Sequence, residues 1–182
     1  KIFTNKISKT IIENLDFKLT NNQKSVINEI NADLKSKSRM FRMLQGDVGS
    51  GKTIVSFITS ANTLEAGFQS ALMAPTEILA KQHYNLAKKI FFKTKVKIGY
   101  LSSKTDNKTR KIILNKISSG EIDMLIGTHS IFQKKIIFKK LGLIIIDEQH
   151  KFGVNQRNKI LSKGNNVHLL LLTATPIPRS LT

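Results

Sequence analysis

Short, continuous apolar runs alternate along the chain with longer segments in which apolar residues recur every three or four positions. The runs at residues 143–146 and 169–172 contain no charged residue, which is typical of central strands covered on both faces. Further strands are predicted at residues 40–44, 71–73, 96–101 and 124–126, and helices at about 22–36, 52–65, 76–90 and 108–117. Strands that alternate with helices predict an α/β fold with a parallel sheet and helices on both faces.

The first twenty residues are mixed and weakly periodic, and they predict a linker that ends in an irregular segment. Thr20 is a good N-cap for the helix that follows. That helix places four apolar residues on one face: Val26, Ile27, Ile30 and Leu34. Residues 102–108 and 153–158 are the segments that we expect to be exposed loops.

Composition limits the class of protein. The chain has 182 residues, enough for one domain with a full core, and 40% of them are hydrophobic. It has no cysteine and no apolar run long enough for a membrane span, which fits a reducing cytoplasm. The net charge of +18 indicates a polyanionic partner such as nucleic acid, but a lysine-, asparagine- and isoleucine-rich composition bias explains it equally well.

Residues 46–53 read GDVGSGKT and fit the phosphate-loop pattern between a predicted strand and a predicted helix. Glycines let backbone amides face an anion, Lys52 supplies a cation to the β- and γ-phosphates, and the Thr53 hydroxyl is placed for Mg²⁺. The alternative is a glycine turn without a ligand. The candidate nucleotide contacts in this loop are Gly46, Asp47, Val48, Gly49, Ser50, Gly51, Lys52 and Thr53.

Residues 147–150 read DEQH and follow a buried strand. Asp147 is expected to hold Mg²⁺ through water, and Glu148 to orient the attacking water and accept its proton. The alternative is a polar strand end. Together with the phosphate loop, these two carboxylates predict ATP hydrolysis with Mg²⁺, in which Lys52, Asp147 and Glu148 are the catalytic residues.

Polar residues near these carboxylates are candidates for coupling the nucleotide site to neighbouring segments. Gln149 and His150 follow the two carboxylates directly, and we prefer a coupling role to a metal-ligand role because no His or Cys partner lies nearby in the sequence. Thr173 and Thr175 close the last apolar run and can switch hydrogen bonds with the nucleotide state. A purely structural role, or a simple turn, is the alternative.

Taken together, these motifs resemble those of the superfamily 2 helicases over nearly the whole chain, and most closely the RecG-like bacterial helicases. The matching segments read LQGDVGSGKT (44–53), APTEILAKQH (74–83), GTHSIFQ (127–133), IIDEQHKFGVNQR (145–157) and LLTATPIPRSL (171–181). Lys151 departs from the family pattern, which has arginine there, so a bidentate contact at this position is in doubt.

The resemblance implies a RecA-like motor lobe with ATP and Mg²⁺ as cofactors. It implies that Gln23 reads the adenine and that five residues contact the DNA backbone: Pro75, Thr76, Gly127, Thr128 and His129. The implied activity is ATP-driven remodelling of branched DNA, such as replication forks and recombination intermediates, in the cytoplasm of a bacterium. A double-stranded DNA translocase of the transcription-repair coupling type and a nucleotide-binding module without turnover are the alternatives.

The chain begins at Lys1 rather than methionine and stops just after a motif, so we expect a piece of a longer protein. Residues 1–20 would be a linker from a preceding region, and residues 21–182 the ATP-binding lobe. The resemblance implies that a wedge domain and a second motor lobe belong to the same polypeptide.

Overall fold

Six parallel strands form one sheet in the order β1-β6-β5-β2-β4-β3. The computed structural model describes residues 5–148 and 166–174. The strands are β1 (Phe41–Gln45), β2 (Gln69–Met73), β3 (Ile98–Leu101), β4 (Met124–Gly127), β5 (Leu141–Asp147) and β6 (His168–Thr173). The α/β class and the parallel sheet predicted from the sequence are confirmed.

Five α-helices accompany the sheet in the described part of the chain, with a short 3₁₀ turn at His129–Phe132. They are α1 (Lys6–Glu13), α2 (Asn21–Lys35), α3 (Lys52–Glu65), α4 (Glu77–Ile90) and α5 (Asn107–Ser119). The four predicted helices agree with α2 to α5 to within a residue or two. Thr20 closes a capping box at α2: its side chain accepts from the Gln23 N–H, and the Gln23 side chain accepts from the Thr20 N–H.

Side chains of the central strands alternate between two apolar clusters, one on each face of the sheet. In β5, Leu143 and Ile145 belong to the cluster that also contains residues of α1 to α4. Ile144 and Ile146 belong to the second cluster, which includes Ile117 of α5 and the 3₁₀ turn. Because both faces are covered, the strands read as unbroken apolar runs, as the sequence indicated.

Helix α1 is a finding that the sequence did not lead us to expect. Ile11 is fully buried in the first cluster, and the Ile7 N–H donates to the carboxylate of Glu65 at the end of α3. The prediction of a weakly periodic linker over residues 1–20 included no helix, whereas Lys6–Glu13 forms one; the role of this segment as a linker stays a prediction. Because α1 packs on α3, this segment is part of the folded unit that the structure describes.

The loop predictions are met in part. Lys104 is exposed, but Ser102 is buried, and α5 begins before the predicted end of that loop. The predicted loop at 153–158 lies outside the described residues. Within the described ranges, no helix is long and apolar enough to cross a membrane.

Candidate functional site at the carboxyl edge of the sheet

The two nucleotide motifs meet because β1 and β5 lie on either side of β6. The phosphate loop follows β1 and Asp147 ends β5, so parallel strands bring both to one edge of the sheet. Two successive carbonyls of β6 hold them there. The Glu148 N–H donates to the Leu172 carbonyl at 2.9 Å, and the Gly46 N–H donates to the Thr173 carbonyl at 3.2 Å.

The phosphate loop needs glycine at defined points. Gly49 and Gly51 have φ of +82° and +83°, a left-handed conformation that glycine adopts without strain. A Cβ on Gly46 would lie 2.7 Å from Ser50 Oγ, and one on Gly51 would lie 2.3 Å from Gln23 Nε2. The loop therefore packs closely against Ser50 and against Gln23 of α2, and a plain glycine turn is a poor explanation of these close approaches.

The ammonium group of Lys52 lies inside the loop. Its Nζ donates to the carbonyls of Gly46 and Asp47 at 2.5 and 2.8 Å, and it lies 3.5 Å from Ser50 Oγ. Carbonyl dipoles hold a cation more weakly than phosphate charges do. The β- and γ-phosphates of a bound nucleotide would therefore draw Lys52 away from these carbonyls.

Gln23 connects α2 to the phosphate loop. Its Oε1 accepts from the Thr20 N–H, and its Nε2 donates to the Ser50 carbonyl, both at 2.9 Å. A primary amide has a second N–H and a second lone pair, so each of these two atoms can still make one more hydrogen bond. That remaining donor and acceptor suit the edge of an adenine ring.

A cavity of about 440 Å³ lies between α2 and the phosphate loop. Its lining includes Thr20, Gln23, Leu44, Gly46, Asp47, Ser50 and Lys52. Its size falls within the range of small-molecule sites, and its walls offer both apolar and polar groups. The cavity lies where the sequence places the nucleotide, beside the predicted base contact and the predicted phosphate contact.

Asp147 has a buried partner that the sequence analysis missed. His83 Nε2 of α4 lies 2.7 Å from Asp147 Oδ2, and the two residues are 8% and 9% exposed. Along α4, Ala80, His83, Ala87 and Ile90 share the buried face. A histidine within an otherwise apolar stripe needs a polar partner, and that anomaly was the available sequence signal.

Glu148 leaves β5 in a left-handed backbone conformation, with φ of +53°. This conformation costs a residue other than glycine roughly 1–2 kcal/mol. Such strain is found at functional sites where the surrounding structure fixes the backbone, and the Glu148 N–H still bonds to the Leu172 carbonyl of β6.

The residues present fit a magnesium nucleotide. No group of three or more His, Cys, Asp or Glu within the described ranges could hold a metal alone. Mg²⁺ does not require such a group, because it is held by one or two protein ligands together with phosphates and water. Asp147 at the end of β5 and Thr53 in the first turn of α3 carry the oxygen atoms predicted to bind the ion, and that role stays a prediction.

The predicted DNA contacts lie at the same edge but differ in exposure. Thr76 and His129 are exposed and Pro75 is half-buried, whereas Gly127 and Thr128 are buried. A Cβ on Gly127 would lie 1.9 Å from the Leu101 carbonyl oxygen. The two buried positions thus shape the edge rather than present side chains, and the proposed contacts stay predictions.

Two side-chain contacts connect the first turn of α4 to the loop after β3. The Ser103 hydroxyl donates to Glu77 Oε1 at 2.6 Å, and Lys104 Nζ lies 3.0 Å from Glu77 Oε2. The Ser103 hydrogen bond and then Lys104 hold the pKa of Glu77 below its usual value. Glu77 is thus ionised and paired beside the exposed Thr76, which caps the same helix.

Of the candidate coupling residues, Thr173 lies at the end of β6 and is 5% exposed. Its carbonyl accepts a hydrogen bond from the Gly46 N–H, so its backbone helps to position the phosphate loop. Gln149, His150 and Thr175 lie outside the described residues, so their coupling roles stay predictions.

Replacing Gln23 with alanine is expected to narrow the preference for ATP over GTP, because a site built to bond one base edge loses discrimination without that partner. Competition binding with the two nucleotides measures this. Thr20→Ala is the matched control: it removes the cap, worth about 1 kcal/mol, without removing the amide. Equal loss of preference in both variants would assign Gln23 to the helix start alone.

Comparison with known proteins agrees with this geometry. The family model for the DEAD/DEAH box helicases matches residues 20–182. An ATP-dependent DNA helicase RecG from Bacillus subtilis is 49% identical over 179 residues, which cover 98% of this chain and 26% of that protein. The Staphylococcus aureus protein of the same name is 50% identical over 173 residues, covering 95% and 25%.

Solved structures give the same result. The structure of RecG bound to a three-way DNA junction has a TM-score of 0.87 at 44% identity, covering 99% of this chain and 24% of that one. The DEAD-box helicase Mss116 bound to single-stranded RNA and UDP-BeF has a TM-score of 0.76 at 22% identity, and it supports the RecA-like fold alone. The chain spans about a quarter of the length of the RecG proteins it matches. It belongs to the DEAD/DEAH box helicase family.

Proposed function

We propose that this chain is the first motor lobe of an ATP-dependent DNA helicase of the RecG type, which couples ATP hydrolysis to remodelling of branched DNA. The observation that carries the proposal is the pairing of the phosphate loop and Glu148 on successive carbonyls of β6. Identity of 49% and 50% to RecG proteins over almost the whole chain supports the DNA-remodelling type within the family.

In the proposed reaction, Gln23 binds the adenine edge while the loop amides and Lys52 bind the phosphates. Thr53 and Asp147 would hold Mg²⁺, and the bound ion would supply positive charge to the phosphates. Glu148 orients a water molecule in line with the γ-phosphate and accepts its proton. Phosphoryl transfer depends mainly on positioning and charge neutralisation, and these residues supply both for one side of the phosphate.

DNA is the proposed partner, bound through its backbone along the edge that carries Pro75, Thr76, Gly127, Thr128 and His129. The exposed Thr76 hydroxyl at the start of α4 suits a phosphate oxygen. The proposal includes a wedge domain and a second motor lobe in the same polypeptide. It also includes a cytoplasmic location, because the matched relatives are bacterial proteins.

The proposal is tested by ATP hydrolysis of the full-length protein with and without a synthetic DNA fork. We expect the fork to stimulate ATP turnover. The Lys52→Ala substitution is expected to abolish this turnover, because it deletes the ammonium group held in the phosphate loop. Calorimetric titration with a non-hydrolysable ATP analogue should show weakened binding by a folded Lys52→Ala protein.

Other outcomes identify the alternatives. Nucleotide binding without turnover on any DNA would indicate a nucleotide-binding module. Turnover stimulated equally by linear duplex and fork would favour a double-stranded DNA translocase. Unchanged nucleotide affinity in Lys52→Ala would contradict the phosphate-loop assignment itself.

A further inference from the structure

The hydrogen bond between His83 and Asp147 joins α4 to the proposed metal ligand across 64 residues of sequence. The residues are 8% and 9% exposed, so water has little access to the pair. A carboxylate that binds Mg²⁺ can only accept hydrogen bonds, so in that state the hydrogen shared with Oδ2 is carried by His83 Nε2. The imidazole is therefore a donor to the side chain that would hold Mg²⁺.

Packing restricts the imidazole to this position. Ala80 and Ala87, about one helical turn to either side of His83, are both fully buried, so the helix lies close against the sheet at this point. The His83 side chain is itself only 8% exposed on this packed face, so its hydrogen bond costs little additional side-chain entropy. Asp147 is therefore held by a rigid partner rather than by a mobile surface chain.

The same bond orients the carboxylate. In the described part of the chain, His83 is the hydrogen-bond partner of the Asp147 side chain, and it uses Oδ2. Oδ1 then remains for a magnesium ion or for its bound water. Groups that orient a metal-binding side chain in this way are worth a factor of about 10–100 in metal affinity.

Helix α4 also carries the residues that face the proposed DNA path. Thr76 caps it, and Glu77 in its first turn is fastened to Ser103 and Lys104. Seven residues separate Thr76 from His83, a rise of roughly 10 Å at 1.5 Å per residue. A displacement of α4 by DNA would therefore move the group that orients Asp147.

We propose that His83 is a positioning residue that holds Asp147 in the orientation required for magnesium-dependent nucleotide binding, and so links α4 to the metal site. This inference rests on the proposed function of the same site. It assigns His83 no contact with the nucleotide, so nucleotide binding in the absence of Mg²⁺ does not depend on the imidazole.

The test compares two amides of different reach. Gln at position 83 can place its Nε2 donor near the position of the imidazole Nε2, whereas Asn is too short to do so. Ile90→Ala is the matched control, since it removes a buried side chain from the same face of α4 at a distance from Asp147. Affinity for ADP is measured by calorimetry in the full-length protein, once with Mg²⁺ and once with EDTA, and thermal unfolding is followed in each variant.

We expect His83→Asn to weaken Mg²⁺-dependent ADP affinity about 10-fold or more and to leave affinity in EDTA unchanged. His83→Gln should restore most of the loss, and Ile90→Ala should lower the unfolding temperature without changing the effect of Mg²⁺. Should His83→Asn fail to fold, His83→Leu replaces it, because leucine better preserves the packing volume.

Three results would overturn the inference: an unchanged Mg²⁺ effect in His83→Asn, tighter Mg²⁺-dependent binding in that variant, or an equal loss in His83→Gln. Failure of the unaltered full-length protein to bind ADP under either condition would instead contradict the proposed nucleotide site. The two failures are thus distinguished by the protein without substitutions.

Discussion

Alone, the 182-residue chain is expected to hydrolyse ATP at least about 10³-fold more slowly than the DNA-stimulated full-length protein. The reason is the positive charge that the transferred phosphate requires around it. A transferring phosphoryl group needs a cation on the side away from the phosphate loop, and an arginine there is worth roughly 10³–10⁵ in rate. Lys52 is the basic residue among those that line the described cavity.

The described arginines are engaged elsewhere or lie at a distance. Arg42 pairs with Asp33 at 2.7 Å and with Glu29 at 2.8 Å, which raises its pKa, and Arg110 donates to the Ser102 carbonyl. Arg39 precedes β1, at the opposite end of that strand from the phosphate loop. Arg157 and Arg179 lie outside the described residues.

Steady-state turnover with saturating fork DNA measures this difference, with full-length Lys52→Ala giving the background rate. Adding the second lobe back in the same polypeptide should restore DNA-dependent turnover. Robust DNA-stimulated hydrolysis by residues 1–182 alone would mean that one lobe contains a complete site, and the two-lobe mechanism would have to be abandoned.

Glu148→Gln in the full-length protein is expected to bind magnesium ATP and hydrolyse it at least about 10²-fold more slowly. The amide keeps the shape of the side chain but cannot accept the proton of the attacking water. Single-turnover hydrolysis, measured beside equilibrium binding of the non-hydrolysable analogue, separates the chemical step from affinity.

The matched control is Glu121→Gln, because this carboxylate pairs with Lys116 at 3.1 Å beside the amino ends of the strands, far from the nucleotide. Its turnover should equal that of the unaltered protein. Near-normal hydrolysis in Glu148→Gln would place activation of the water on another residue.

The sequence pattern was sufficient to predict those elements whose structure is decided by local chemistry. The runs at 143–146 and 169–172 became β5 and β6 because strands buried on both faces admit few polar residues. Helix α3 begins at Lys52 as predicted, since the glycines before it place the loop and stop the strand. The phosphate loop and Asp147 were assigned to one nucleotide site from their motifs, and the strand order that brings them together came from the structure.

Long-range contacts were beyond such patterns. Helix α1 has eight residues, too few to be stable in isolation, and it is held by burial of Ile11 and by the hydrogen bond to Glu65, which lies 58 residues from Ile7. The pairing of His83 with Asp147 likewise depends on the tertiary arrangement of α4 and β5. The left-handed turn at Glu148 was not predictable either, because that position has no glycine or asparagine to indicate it.

The position of β6 has a consequence for the order in which the protein folds. Strand β1 pairs with β6 in the described sheet, and the contact between Met40 and His168 spans 128 residues. Contacts that distant are slow to form because a long loop must close first. During synthesis, β1 must therefore wait until the chain has been made through residue 173 before it joins the sheet. The phosphate loop gains its support from the Thr173 carbonyl at that late moment, so the nucleotide site is among the last parts of the lobe to be assembled.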